Sequence, residues 1–109
     1  MSKPDDRRQE SRSPANVRGI VVAPGLELPC LIVDQSSSGV RLRLDRNLAL
    51  PARVVLIDVA QATAVEAEVV WRKGQEAGVR RAGAASSLRG LVPSRLAAAR
   101  DALLRAGGR

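Results

Sequence analysis

The chain has no histidine, no tyrosine and no phenylalanine, and only one cysteine, one tryptophan and one methionine among its 109 residues. Each gap excludes a chemistry. Without histidine there is no imidazole acid–base catalysis and no imidazole metal ligand. A lone cysteine, Cys30, excludes an internal disulfide and a cysteine-rich zinc site, and it fits a reducing cytosol. With Trp71 as the single aromatic residue, the stacking platforms of RRM and OB nucleic-acid binders cannot be assembled. The acidic residues are few and scattered and no nucleophile has a visible base, so nothing supports an enzyme. No apolar run reaches the roughly 18 residues that span a bilayer. The N-terminus is polar and lacks the apolar stretch of a secretory signal, so the expectation is a cytoplasmic protein without membrane insertion.

What is present is a core of Val, Leu, Ile and Ala and a net charge of +7 carried by the two ends, with a near-neutral middle. Such a balance asks for an anionic partner or serves solubility. The length allows one domain. Residues 1–16 show no periodic apolar face and read as a flexible basic arm. Residues 17–82 read as β-structure. Val17 to Val22, Leu28 to Asp34, Val40 to Leu44, Arg53 to Val59, a fifth strand around Val65 to Trp71, and Ala77 to Arg81 are short apolar or alternating runs. Turn signals at Ala23-Pro24-Gly25, Asp34 to Gly39 and Lys73-Gly74-Gln75 separate three of the pairs. In the fifth strand, alternation puts Val65, Ala67, Val69 and Trp71 on one face and Glu66, Glu68 and Arg72 on the other. Six such strands indicate a mainly β fold, a six-stranded antiparallel barrel. Residues 83–109 carry a C-terminal helix that packs on the barrel. It opens with Ser94 as N-cap, presents Leu96, Ala99, Leu103 and Leu104 on one face and stops at Gly107-Gly108. That face is expected to plug an open end or to act as a lid on the core.

Two polar strings about twenty residues apart carry the functional signal. Arg7-Arg8-Gln9-Glu10-Ser11-Arg12 contains R-x-x-x-R, with Arg8 and Arg12 on one side of an extended arm. A guanidinium grips phosphate oxygens bidentately, fits the O6/N7 edge of guanine and stacks on a purine. Asp34-Gln35-Ser36-Ser37-Ser38-Gly39 contains D-x-S-x-x-G. Asp34 accepts from guanine N1–H and N2–H₂, Ser36 donates to a phosphate or the backbone, and Gly39 permits a positive φ and close ligand approach. Together the strings describe a guanine-nucleotide pocket with no metal and no catalytic base. Each alone is weak, since arginine pairs and Asx-type turns are common. Arg41 and Arg43 read as an exposed face, Arg80 and Arg81 as an extension of the positive field, and Cys30 as a small buried apolar residue. Trp71 reads as core first and as a secondary ligand-binding candidate second.

These two strings, the following Gly-Val-Arg-Leu-Arg-Leu strand, Glu68-Val69-Val70-Trp71-Arg72 and Gly78-Val79-Arg80 make residues 7 to about 81 resemble the PilZ family of bacterial cyclic di-GMP receptors. The resemblance implies ligand binding by Arg7, Arg8, Arg12, Asp34, Ser36 and Gly39, with the doubled arginine suited to a stacked pair of ligand molecules. It implies cyclic di-GMP as ligand, no cofactor, and a downstream protein partner met by a surface that changes when the arm closes. Two positions depart from the family pattern: Gln35 stands where an apolar residue is usual, and Arg81 where an aromatic is usual. The competing readings are an adaptor that acts without the ligand and a basic nucleic-acid-binding barrel. The missing aromatics weigh against the second.

Overall fold

The computed structural model describes residues 13–107 of the chain. Seven strands, β1 (Ser13–Ala23), β2 (Leu26–Gln35), β3 (Gly39–Leu44), β4 (Arg53–Asp58), β5 (Thr63–Lys73), β6 (Glu76–Arg81) and β7 (Ser86–Ser87), precede a 3-10 turn at Ser94–Leu96 and the helix α1 (Ala97–Arg105). Neighbours run β4-β1-β2-β3-β6-β5, every pair is antiparallel, and a β4–β5 pairing closes the cylinder. This is the six-stranded barrel that the alternation predicts, and closure leaves none of its six strands as a bare edge. The two-residue β7 is an addition, hydrogen-bonded to Thr63 and Ala64 at the start of β5.

Turn chemistry sets the hairpins. Pro24-Gly25 joins β1 to β2, with Gly25 at φ 72, and Gly74-Gln75 joins β5 to β6, with Gly74 at φ 59. Proline fixes the first position of one turn, and both glycines take a left-handed conformation that a side chain disfavours. Asp58 tightens the β4–β5 turn by accepting from the Gln61 N–H at 2.9 Å.

Alternation divides the apolar residues between two clusters. Val21, Leu28, Cys30, Ile32, Leu42, Leu44, Leu56, Ala67, Ala77 and Val79 point into the barrel. Ile20, Ile57, Ala62, Ala64 and Leu88 point outward and meet Leu96, Ala99, Ala102 and Leu103. The helix therefore lies against the outer wall at β1 and β4, and not in a barrel end. Its buried stripe includes Ala102 and leaves Leu104 exposed, which shifts the predicted face by about 50°. Arg18 donates to the Ala106 carbonyl at 2.9 Å, and Arg105 pairs with Glu27 at 2.6 Å, so both anchors tie the helix end to β1 and β2.

Three irregularities redirect side chains. β1 begins at Ser13, four residues before the predicted start, and Ser13 and Pro14 pair with Gln35 and Asp34 of β2 beyond an irregularity at residues 15–16, where Asn16 takes φ 51. Asparagine is among the few residues that accept that conformation readily. Val33 is an extra residue on β2 opposite β3, and Val70 is an extra residue on β5 opposite β6. A bulge of one residue exchanges the two faces beyond it. Trp71 is consequently 42% exposed and outside, not on the face of Val65, Ala67 and Val69. Arg72 turns to the barrel end instead, where it donates to the Leu48 carbonyl at 2.7 Å and to Asn47 at 3.0 Å.

Candidate functional site

The Asp34–Gly39 string forms the tip of the β2–β3 hairpin. Ser36 N–H donates to the Gly39 carbonyl at 2.9 Å, and Gly39 N–H donates to Ser36 Oγ at 3.2 Å. Ser36 is thus a staple across the turn, and at 8% exposure it is nearly buried. Gly39 is not among the residues with positive φ, so the expected use of its backbone freedom is corrected. A Cβ there would lie 3.2 Å from the Val79 carbonyl, so a side chain would press β3 away from β6 by a few tenths of an ångström.

The hairpin register pairs Asp34 with Arg41, and the Val33 bulge turns Asp34 to the outer side, where the regular alternation of β3 already places Arg41. Arg41 Nε donates to Asp34 Oδ2 at 3.0 Å, and Asp34 is only 9% exposed. Arg41 also stands 3.6 Å from Glu76. An acidic group this well covered requires a partner, and a planar fork on the neighbouring strand supplies it along the carboxylate edge. A carboxylate has about four acceptor positions, so this orienting bond is compatible with a bond to a ligand.

The same register continues across the sheet. Pro14 pairs with Asp34, Asp34 with Arg41, Arg41 with Gly78 and Gly78 with Trp71. Paired residues share a face, so an acid, a base and an indole form one row. The indole takes the space that Gly78 leaves. A Cβ on Gly78 would lie 2.0 Å from Trp71 Nε1 and 2.4 Å from Cε2. Around this row the outer wall carries the Arg80–Glu68 ion pair and the looser Arg43–Glu76 contact at 3.9 Å.

Behind the turn lies one end of the barrel. Ile32, Gln35, Val40, Leu56, Asp58, Thr63, Val65, Arg81 and Ala85 line a cavity of about 230 Å³ there. Arg81 NH1 donates to the Ser36 carbonyl at 2.7 Å, and NH2 donates to Gln35 Oε1 at 2.8 Å. The two departures from the family pattern are therefore partners. A separate cavity of about 260 Å³ between the β4–β5 face and residues 83–96 includes none of the Asp34–Gly39 residues.

Of the expected site residues, Asp34, Ser36 and Gly39 come together in one turn, and Trp71 stands on the outward row that starts at Asp34. Arg7, Arg8 and Arg12 lie outside the described residues. The nearest described residue, Ser13, pairs with Gln35. Two residues carry more than the sequence suggested: Arg41 and Arg81. The first was legible in principle, because a tight turn between Ser36 and Gly39 sets Asp34 opposite Arg41. The second depends on β6 lying beside β3, which no local pattern reveals.

Among the described residues no helix is long and apolar enough to cross a membrane. No curated protein matches the chain. The family model for the PilZ domain matches residues 6–92, a span that contains the R-x-x-x-R string, the whole barrel and the D-x-S-x-x-G turn. On that match the chain belongs to the PilZ domain family, a family of cyclic di-GMP-binding adaptor domains.

Proposed function

We propose that the chain is a cyclic di-GMP effector whose N-terminal arm closes over the β2–β3 turn when the messenger binds, and that the altered surface signals to a partner protein in the cytoplasm. One observation above all supports the reading. The strand that follows R-x-x-x-R in sequence is hydrogen-bonded to the strand that carries D-x-S-x-x-G, with Ser13 opposite Gln35 and Pro14 opposite Asp34. The residues that directly follow R-x-x-x-R are thus neighbours of the strand end at Asp34 and Gln35 by register.

The roles follow from the groups. Arg8 and Arg12 supply forks for the two phosphates and the O6/N7 edges. Asp34, oriented by Arg41, accepts from N1–H and N2–H₂ of a guanine, a pattern that adenine cannot satisfy. Ser36 and Gly39 hold the turn. Arg7 suits a second, stacked ligand molecule, and Trp71 offers a flat face at the far end of the outward row. The ordering cost of the arm is offset by charge-assisted bonds. The reaction of the domain is binding, with no bond made or broken.

Calorimetric titration with cyclic di-GMP tests the reading. Wild type is expected to bind with one or two molecules per chain. Removing a buried charged contact costs about 2–5 kcal/mol, so Arg8→Ala is expected to weaken binding by roughly thirtyfold to several thousandfold. Absence of heat with wild type across temperatures and salt concentrations would favour an adaptor that works without the messenger. A steep loss of affinity with salt would instead indicate many phosphate contacts and a nucleic acid.

A further inference from the structure

Arg81 makes three hydrogen bonds to a single five-residue turn. Its NH1 donates to the Ser36 carbonyl at 2.7 Å, its NH2 to Gln35 Oε1 at 2.8 Å, and its backbone N–H to the Ser38 carbonyl at 3.4 Å. The side chain starts from a position whose Cα partner is Ala67, an interior residue, so it rises through the barrel mouth toward the turn from below. At the turn it meets neutral oxygens, and the cavity around it is lined by the apolar Ile32, Val40, Leu56, Val65 and Ala85 together with the polar Gln35, Asp58 and Thr63. The guanidinium reaches two points of the turn at once, because its fork is planar and rigid.

From this we infer that Arg81 is the positioning residue of the ligand-binding turn: seated in the barrel mouth, it holds Gln35 and Ser36 so that Asp34 stands ready for the messenger. The inference rests on the cyclic di-GMP reading above and deepens it. Arg81 faces the turn from the barrel side, whereas Asp34 stands on the outer face, so the action of Arg81 passes through the turn. Without the clamp, the Ser36 carbonyl and the Gln35 amide lose their partners and the turn samples other conformations. Affinity then falls by the fraction of molecules that keep the binding geometry. A turn that is correctly formed one tenth of the time loses about tenfold in affinity.

The test combines titration with cyclic di-GMP and amide hydrogen exchange of the ligand-free protein, on wild type, Arg81→Gln, Arg81→Lys and Gln35→Leu. Circular dichroism first establishes that each variant retains the sheet. Arg81→Gln is expected to weaken binding about tenfold or more, with unchanged stoichiometry. Exchange should accelerate at residues 36–39 and not in β4 or β5, and saturating ligand should restore protection. Arg81→Lys keeps the charge but not the fork, and is expected to resemble Arg81→Gln. Gln35→Leu removes one arm of the clamp and should lose less. Wild-type affinity in Arg81→Gln, full rescue by Arg81→Lys, or lost affinity without faster exchange at the turn each overturns the inference. If Arg81→Gln does not fold, Arg81→Lys and Gln35→Leu decide by the same two readouts. No binding by wild type sinks the messenger reading itself, and the inference with it. Binding by wild type that is unaltered in the variants sinks the inference alone.

Discussion

Gly78→Ala is the most exacting perturbation of the outer row. The methyl group would lie 2.0 Å from Trp71 Nε1, 2.4 Å from Cε2 and 2.6 Å from Cδ1, so the indole cannot stay where it is. Trp71 is 42% exposed. Of the ~250 Å² that a tryptophan can bury, roughly 145 Å² is therefore covered, equivalent to about 3.6 kcal/mol at 25 cal/mol per Å². If displacement uncovers about half of this, the loss is near 2 kcal/mol. Replacing glycine by alanine within a strand returns about 0.5–1 kcal/mol. The net expectation is a destabilisation of about 1 kcal/mol, or about 4–8 °C in Tm for a domain of this size. Trp71 is the only tryptophan, so its fluorescence reports its own displacement. Emission should shift to longer wavelength in Gly78→Ala and remain unchanged in a Gly83→Ala control, where a Cβ meets nothing within 4 Å. A variant that is more stable than wild type, with unaltered emission, would refute the packing of the indole on the Gly78 backbone.

Two further predictions concern titration. Arg105 holds the Glu27 carboxyl below its usual value of 4.5, chiefly by hydrogen bonding. A depressed carboxyl stabilises the fold above its unfolded pKa, and that stability is lost as pH falls through the folded one. Glu27→Gln should therefore be slightly less stable than wild type at neutral pH, with the difference shrinking as pH falls below the carboxyl's usual range, measured by urea denaturation. Burial pushes the Cys30 thiol up from 9.0 to about 12. The unfolded chain then releases a proton between those values that the folded one keeps, so stability falls as pH rises above about 9, at up to ~1.4 kcal/mol per pH unit. No tyrosine titrates in this window. The slope should vanish in Cys30→Ala, and a thiol reagent should label wild type only on unfolding.

Strand number, strand order along the chain and the two motif strings were legible because each is local. Valine, leucine and isoleucine at alternate positions mark a half-buried strand wherever they occur, and Pro24-Gly25 and Gly74 mark turns by their own backbone preferences. The places where local reading failed share one cause. Trp71 and Arg72 were assigned to faces by continuing an alternation that Val70 interrupts. Leu104 was grouped with Leu103 because both are apolar, although only Leu103 meets Ile20 and Ile57 on the wall. Arg41 and Arg81 read as surface charges because their partners, Asp34 and the Gln35-Ser36 pair, are reached across strands.

The amino-acid order by itself determined a small barrel with an aliphatic core, a chemistry without imidazole, and a D-x-S-x-x-G turn between two of its strands. Tertiary structure alone decided which way the side chains face. Bulges at Val33 and Val70 reverse the alternation, and a bulge is set by the register with a neighbouring strand. The closing of β3 against β6 brings Arg81 under the turn, forty-five residues from Ser36 along the chain. Side-chain period is a property of the backbone within one strand, whereas register and face are settled by what the opposite strand buries.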